Sequence, residues 1–190
     1  MKLKHLIVAL MAAASASAFA ADMYTVDPSH TYPSFEADHN GLSVWRGKFT
    51  KTSGTITLDR AAKTGSMEIV IDTNSLDFGH EKLNAHAKNE PAMFDVAKYP
   101  TATYKATSIT FNGDLPVAAE GELTLHGTTL PVKLTINKFK CIMNNNLKRE
   151  VCGADATAEF KRSDFGVSFG VPRFAPEVKL AIQVEAIKSN

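Results

Sequence analysis

From Ala21 onward, apolar and polar residues alternate in one short run after another. That two-residue period commits the chain to strands with one buried and one wet face. Phe35, Ala37 and His39 alternate with Glu36 and Asp38, Ile56 and Leu58 with Thr57 and Asp59, and Met67, Ile69 and Ile71 with Glu68 and Asp72. The device recurs at Ala102, Tyr104 and Ala106, at Leu123 and Leu125, and at Val132, Leu134 and Ile136. It recurs again at Ala154, Ala156, Ala158 and Phe160, and at Leu180, Ile182 and Val184. Turn residues separate the runs: Asn40-Gly41, Lys63-Thr64-Gly65, Asn112-Gly113-Asp114 and His126-Gly127. Roughly eight to ten segments joined by such turns predict an all-β fold of antiparallel neighbours, a sandwich or a barrel. His80 to Val96 breaks the rhythm and predicts one or two short helices or a structured loop across one end of the sheet.

Residues 1–20 stand apart. Lys2 and Lys4 precede an apolar run from Leu6 to Ala14, and Ala18-Phe19-Ala20 supplies the small residues a signal peptidase requires. The run is shorter than the roughly 20 residues that span a bilayer. The expectation is a cleavable signal peptide over 1–20 and a single domain over 21–190, exported and, in a Gram-negative host, periplasmic. No later stretch is apolar and long enough to be an integral membrane span. Lys and Arg number 21 against 20 Asp and Glu, scattered along the chain, which argues against a nucleic-acid partner.

Cys141 and Cys152 flank a polar stretch containing Asn144-Asn145-Asn146 that reads as a loop between strands. In an oxidising compartment a disulfide across that hairpin is expected. The spacing is neither a zinc knuckle nor a CxxC. His30, His39, His80, His86 and His126 show no HExxH or HxH pattern, so neither a metal nor another cofactor is expected. There is no GxSxG and no GxGxxG, and Gly41 to Lys48 has the wrong spacing for a phosphate-binding loop, so the chain is read as non-enzymatic.

The inward-facing residues are uneven in size, with bulky Phe35, Trp45 or Val44, Phe49, Tyr104 and Phe160 beside small Ala37, Ala102, Ala154, Ala156 and Ala158. Small residues on facing strands leave a lane, unless larger ones opposite fill it. Several motifs in order then carry a resemblance: Asp27-x-x-His30-Thr31, Phe35-x-x-x-His39-x-Gly41, Arg46-Gly47-x-Phe49, Tyr99-Pro100-x-Ala102-x-Tyr104, Gly121 to Thr129 and Arg162-x-Asp164-Phe165-Gly166. Together they resemble the YceI family of exported lipocalin-like proteins, over about Tyr24 to Ile187. Pro33 and the Leu83 to Phe94 segment depart from that family's pattern.

The resemblance implies an antiparallel barrel of about eight strands with a helical segment near residues 80–96. It further implies a tunnel for a long isoprenoid, quinone-like or fatty amphiphile, a binding or carrier role. Burial at roughly 0.8 kcal/mol per methylene would hold such a chain without a charged anchor. Parity gives the faces and the resemblance gives the cavity for the expected wall: Phe35, Ala37, His39, Val44, Phe49, Ile56, Ile69, Tyr104, Leu123, Leu134, Ala156, Phe160, Ile182 and Val184. His39 with Arg46 or Arg162 is the candidate set for a polar head group at the barrel mouth. Two other readings stay open: a stress-linked secreted scaffold without a ligand, and a hydrolase or isomerase of a hydrophobic substrate. Whether two barrels pair as a homodimer is also left open.

Overall fold

The computed structural model describes residues 21–190. The expected signal peptide, residues 1–20, lies outside the described residues. Strands run β1 Asp22–Val26, β2 Tyr32–His39, β3 Ser43–Phe49, β4 Thr52–Asp59, β5 Thr64–Asp72 and β6 Leu76–Asp77. Helix α1 spans Glu81–Asn89, and β7 Thr101–Asn112, β8 Leu115–Leu125, β9 Thr128–Asn144, β10 Arg149–Lys161 and β11 Glu177–Lys188 complete the chain.

These eleven segments make eight staves. β11 pairs along its C-terminal part with β1 and along its N-terminal part with β2, so β1 and β2 form one interrupted stave. β3 and β4 form the second, since β3 pairs with β2 and β4 with β1. β5 and β6 form the third by the same test. Each of the others is a single strand, every pair is antiparallel, and the β1–β11 ladder closes the cylinder. About eight strands were expected, and an eight-stave up-and-down barrel is what the pairing gives.

The interruptions have local causes. Between β1 and β2, Pro28 supplies no N–H, and the Asp27 carboxylate turns the chain by accepting from the Ser29 backbone N–H at 2.9 Å. Between β5 and β6, Asp72 caps a 3-10 turn, Thr73–Ser75, by accepting from Asn74 N–H at 3.0 Å. Asn40 and Gly41 both take positive φ, 59° and 69°, as the β2–β3 turn requires.

The irregular 80–96 segment is one helix followed by turns. His80 caps α1 by accepting from Leu83 N–H at 3.2 Å, and Ala87 is fully buried against the barrel end. Phe94 N–H donates to Ala87 C=O at 3.1 Å, which folds the following loop back under the helix. His126 holds that loop from the β8–β9 turn through Nε2 and Pro91 C=O, 3.0 Å apart.

Cys141 and Cys152 sit directly opposite each other in the β9–β10 ladder and are joined by a disulfide. The expected crosslink is present, across two strands of one hairpin.

Candidate functional site

The barrel interior is hollow. A cavity of about 410 Å³ runs down its axis, within the range of small-ligand sites. Its wall is apolar because the alternation of each stave sends one set of side chains inward: Ile56 and Leu58 from β4, Met67, Ile69 and Ile71 from β5, Leu123 and Leu125 from β8, Val132, Leu134 and Ile136 from β9. The void exists because Ala102, Ala119, Ala154 and Ala156 occupy inward positions that larger residues would fill.

Polar wall groups are few, and most are engaged. The Tyr104 hydroxyl lies against the barrel wall between Ala119 C=O at 3.1 Å and Val132 C=O at 2.8 Å. Burial pushes its phenol up to about 12, so it stays neutral. Among the buried side-chain polar atoms, Thr52 Oγ1, on a residue 2% exposed, has no hydrogen-bond partner among the described residues.

One end is floored by polar groups. Tyr24, 1% exposed, donates its hydroxyl to Glu150 Oε1 at 2.5 Å, and Arg60 Nη2 donates to the same carboxylate at 2.9 and 3.2 Å. Burial, together with the bond to Glu150, pushes the Tyr24 phenol well above its ordinary range. At the other end, α1 and the 166–176 loop cover the mouth incompletely. Wall residues that reach solvent gather there: Trp45, His86 and Phe169.

The mouth is built of stacked rings. His39 lies 3.9 Å from Trp45 at 11° between planes and 4.8 Å from Phe174 at 23°, so its imidazole is sandwiched. His86 meets Phe169 edge-on at 5.1 Å. Arg162 Nη1 donates to Val167 C=O at 2.8 Å and Nη2 approaches Phe174 C=O at 3.5 Å, pinning the loop. Arg162 also lines the cavity and makes no ion pair among the described residues; burial lowers its pKa.

Of the residues expected on the wall, Phe35, Ala37, His39, Phe49, Ile56, Ile69, Tyr104, Leu123, Leu134, Ala156, Phe160, Ile182 and Val184 line this cavity. Val44 does not: it is 46% exposed on the outer face of β3. Ladder partners share a face, and Ala37 is opposite Trp45 while Phe35 is opposite Gly47, so Trp45, Gly47 and Phe49 take the inside. Gly47 enforces this, because a Cβ there would meet the Phe35 ring at 2.5 Å. The same parity corrects Arg46, which points outward and pairs with Glu36 at 2.7 Å. Of the head-group candidates, His39 and Arg162 share the cavity and Arg46 is outside it.

Sequence reasoning missed two kinds of wall residue. Leu58, Met67 and Ile71 follow the same parity as their neighbours and were available to it. Phe78, Leu83, Met93, Phe94, Phe169 and Phe174 come from short or irregular segments where no period marks a face. The group of metal-ligand types that clusters among the described residues is Cys141, Glu150 and Cys152, whose two sulfurs are bonded to each other.

Comparison with known proteins agrees with this architecture. A UPF0312 protein of Yersinia pestis (strain Pestoides F) is 33% identical over 175 residues, covering 90% of this chain and 89% of its own. The crystal structure of Burkholderia cenocepacia BcnA superposes with a TM-score of 0.68 at 25% identity, covering 84% of this chain and 98% of that one. A polyisoprenoid binding domain from Saccharophagus degradans, implicated in plant cell wall breakdown, shares the fold with a TM-score of 0.65 at 17% identity, covering 87% and 98%. The model of the YceI-like domain matches residues 24–186, nearly the whole barrel, and the chain therefore belongs to the YceI-like family.

Proposed function

We propose that this protein is a non-catalytic carrier that sequesters a long isoprenoid or similar amphiphilic chain in the barrel and shields it from water, acting in the periplasm after export. The observation that carries the reading is the apolar cavity of about 410 Å³, open at one end and floored at the other. A saturated or prenyl tail gains roughly 0.8 kcal/mol per methylene buried there. Ten carbons therefore supply about 8 kcal/mol before the costs of association are subtracted. The polyisoprenoid binding domain of the same fold supports the choice of cargo.

Arg162 and His39 are the groups that would meet a polar head. Arg162 brings guanidinium N–H donors to the wall with no carboxylate partner among the described residues, and His39 presents its ring edge between Trp45 and Phe174. A non-catalytic role is supported by how Arg162 and Asp38 are engaged, Arg162 on backbone carbonyls and Asp38 on the Gly41 N–H at 2.9 Å.

Native mass spectrometry of the purified protein, with organic extraction and a fluorescent prenyl probe, tests the reading. A co-purifying amphiphile or saturable probe binding is expected. An empty barrel that takes up neither prenyl nor acyl probes would refute it.

A further inference from the structure

The β8–β9 ladder ends at Ala118 and Thr135, yet β9 continues to Asn144, paired only with β10. The β9–β10 hairpin thus runs on past its neighbour, and the Cys141–Cys152 disulfide staples it. Its outer part is chemically unlike the rest of the chain. Lys138, Lys140, Lys148 and Arg149 fall within the stretch 137–149 with no acidic residue among them, in a protein whose charges nearly balance over the whole chain. None of the four makes an ion pair among the described residues, although eight such pairs occur elsewhere. Between these cations Ile142, Met143 and Leu147 are 54%, 64% and 44% exposed. Beside the tip, a hollow of about 280 Å³ is bordered by Arg60, Met143, Lys148, Arg149, Glu150 and Lys188, together with Ser189 and Asn190. Its one acidic side chain, Glu150, is bound to Arg60 and Tyr24.

We propose that this stapled basic-apolar hairpin docks the barrel onto an anionic lipid surface, with a lipid phosphate seated in the adjoining cationic hollow and Ile142, Met143 and Leu147 entering the headgroup region. The juxtaposition of exposed apolar side chains with unpaired cations suits a bilayer surface, where acyl boundary and phosphate lie side by side. An acidic protein would satisfy the cations alone. The base of the hairpin, Phe139 opposite Ala154, is cavity wall, and the tip lies beside Glu150 and Arg60 of the floored end, so docking leaves the open mouth turned away from the surface. The choice of a lipid surface rests in part on the carrier reading; the charge and exposure of the tip do not.

Flotation with vesicles of phosphatidylcholine and phosphatidylglycerol in equal amounts, against phosphatidylcholine alone, tests it. Binding is expected only to the anionic vesicles, and less of it at high salt. The double variant Lys148→Gln/Arg149→Gln should bind about thirtyfold more weakly, at about 1 kcal/mol per cation near such a surface. A charge-matched control, Lys82→Gln/Lys179→Gln, should bind as the parent does, and both variants should keep the parent's affinity for a prenyl probe. Equal binding to both vesicles, or equal loss in the two double variants, would overturn the proposal. So would indifference to vesicles combined with retention on immobilised polyglutamate. A protein that binds no prenyl probe but still floats with anionic vesicles through Lys148 and Arg149 would sink the carrier reading and leave the docking surface standing.

Discussion

Replacing Ala156 by leucine puts three extra carbons into the middle of the barrel. Ala156 is 5% exposed, faces the cavity, and stands between Ile136 and Ile182 in the ladder. In an already filled interior, such a substitution forces strained rotamers and costs about 1–3 kcal/mol. Here the carbons enter existing space, so the empty protein should gain stability, up to about 2.4 kcal/mol at roughly 0.8 kcal/mol per buried methylene. Cargo should lose by the same amount, since the leucine occupies the room of about three of its methylenes; that weakens binding about sixtyfold. Denaturant unfolding of delipidated protein measures the first effect, and titration with a prenyl probe measures the second. A variant that unfolds more easily than the parent while binding the probe equally well would refute the reasoning, because it would mean a solid core and a ligand held elsewhere.

Removing the crosslink with Cys141→Ser/Cys152→Ser should cost about 2.8 kcal/mol on the loop-entropy account for a separation of 11 residues. Denaturant midpoints measure it, and a loss under about 0.5 kcal/mol would mean that the hairpin is held by its ladder alone. Arg162→Met should leave binding of a prenyl hydrocarbon within about twofold and weaken a prenyl phosphate of equal length by about tenfold or more, in keeping with a charge-assisted hydrogen bond; equal effects on both ligands would count against a head-group role. His30 Nδ1 lies 2.8 Å from Asp27 Oδ2, which raises the imidazole pKa above its ordinary 6.5, while Ser29 and His30 together hold Asp27 below its ordinary 3.8. The pair's contribution is therefore complete between those two ordinary values. It fades as pH rises through the raised His30 value and as pH falls through the lowered Asp27 value. Melting curves of the parent and His30→Ala should differ most near pH 5 and converge above neutrality; a constant gap would remove this pair from the account.

How far the sequence disclosed this molecule depended on whether period or packing decided the question. Ile56, Ile69, Leu134 and Ile182 could be placed because strict alternation leaves a strand only one buried face. Val44 could not, since Val44 and Trp45 are both apolar neighbours after a turn that resets the phase. The cue that resolves them is Gly47, whose missing Cβ makes room for Phe35. Arg46 followed Val44 to the outer face for the same reason. Phe94, Phe169 and Phe174 lie in segments without a period, and their inward position is set by tertiary bonds such as Phe94 N–H to Ala87 C=O and Arg162 to the 166–176 loop. The existence of the void was similarly out of reach. Alanines at 154 and 156 permit it, but no period in the sequence says what faces them across the barrel.

In this meander each stave zips onto the one before it, with a single exception among the described strands: the seam that sets β1 and β2 against β11. That seam joins residues separated by more than 140 positions, such as Phe35 and Leu180. Local hairpins can form early and cheaply, but the tube has no interior until its last strand arrives. Before that moment the molecule is an open, curling sheet with two naked edges and a greasy concave side. The ability to hold an oily guest is thus a property of the finished circle, and no fragment lacking β11 can possess it.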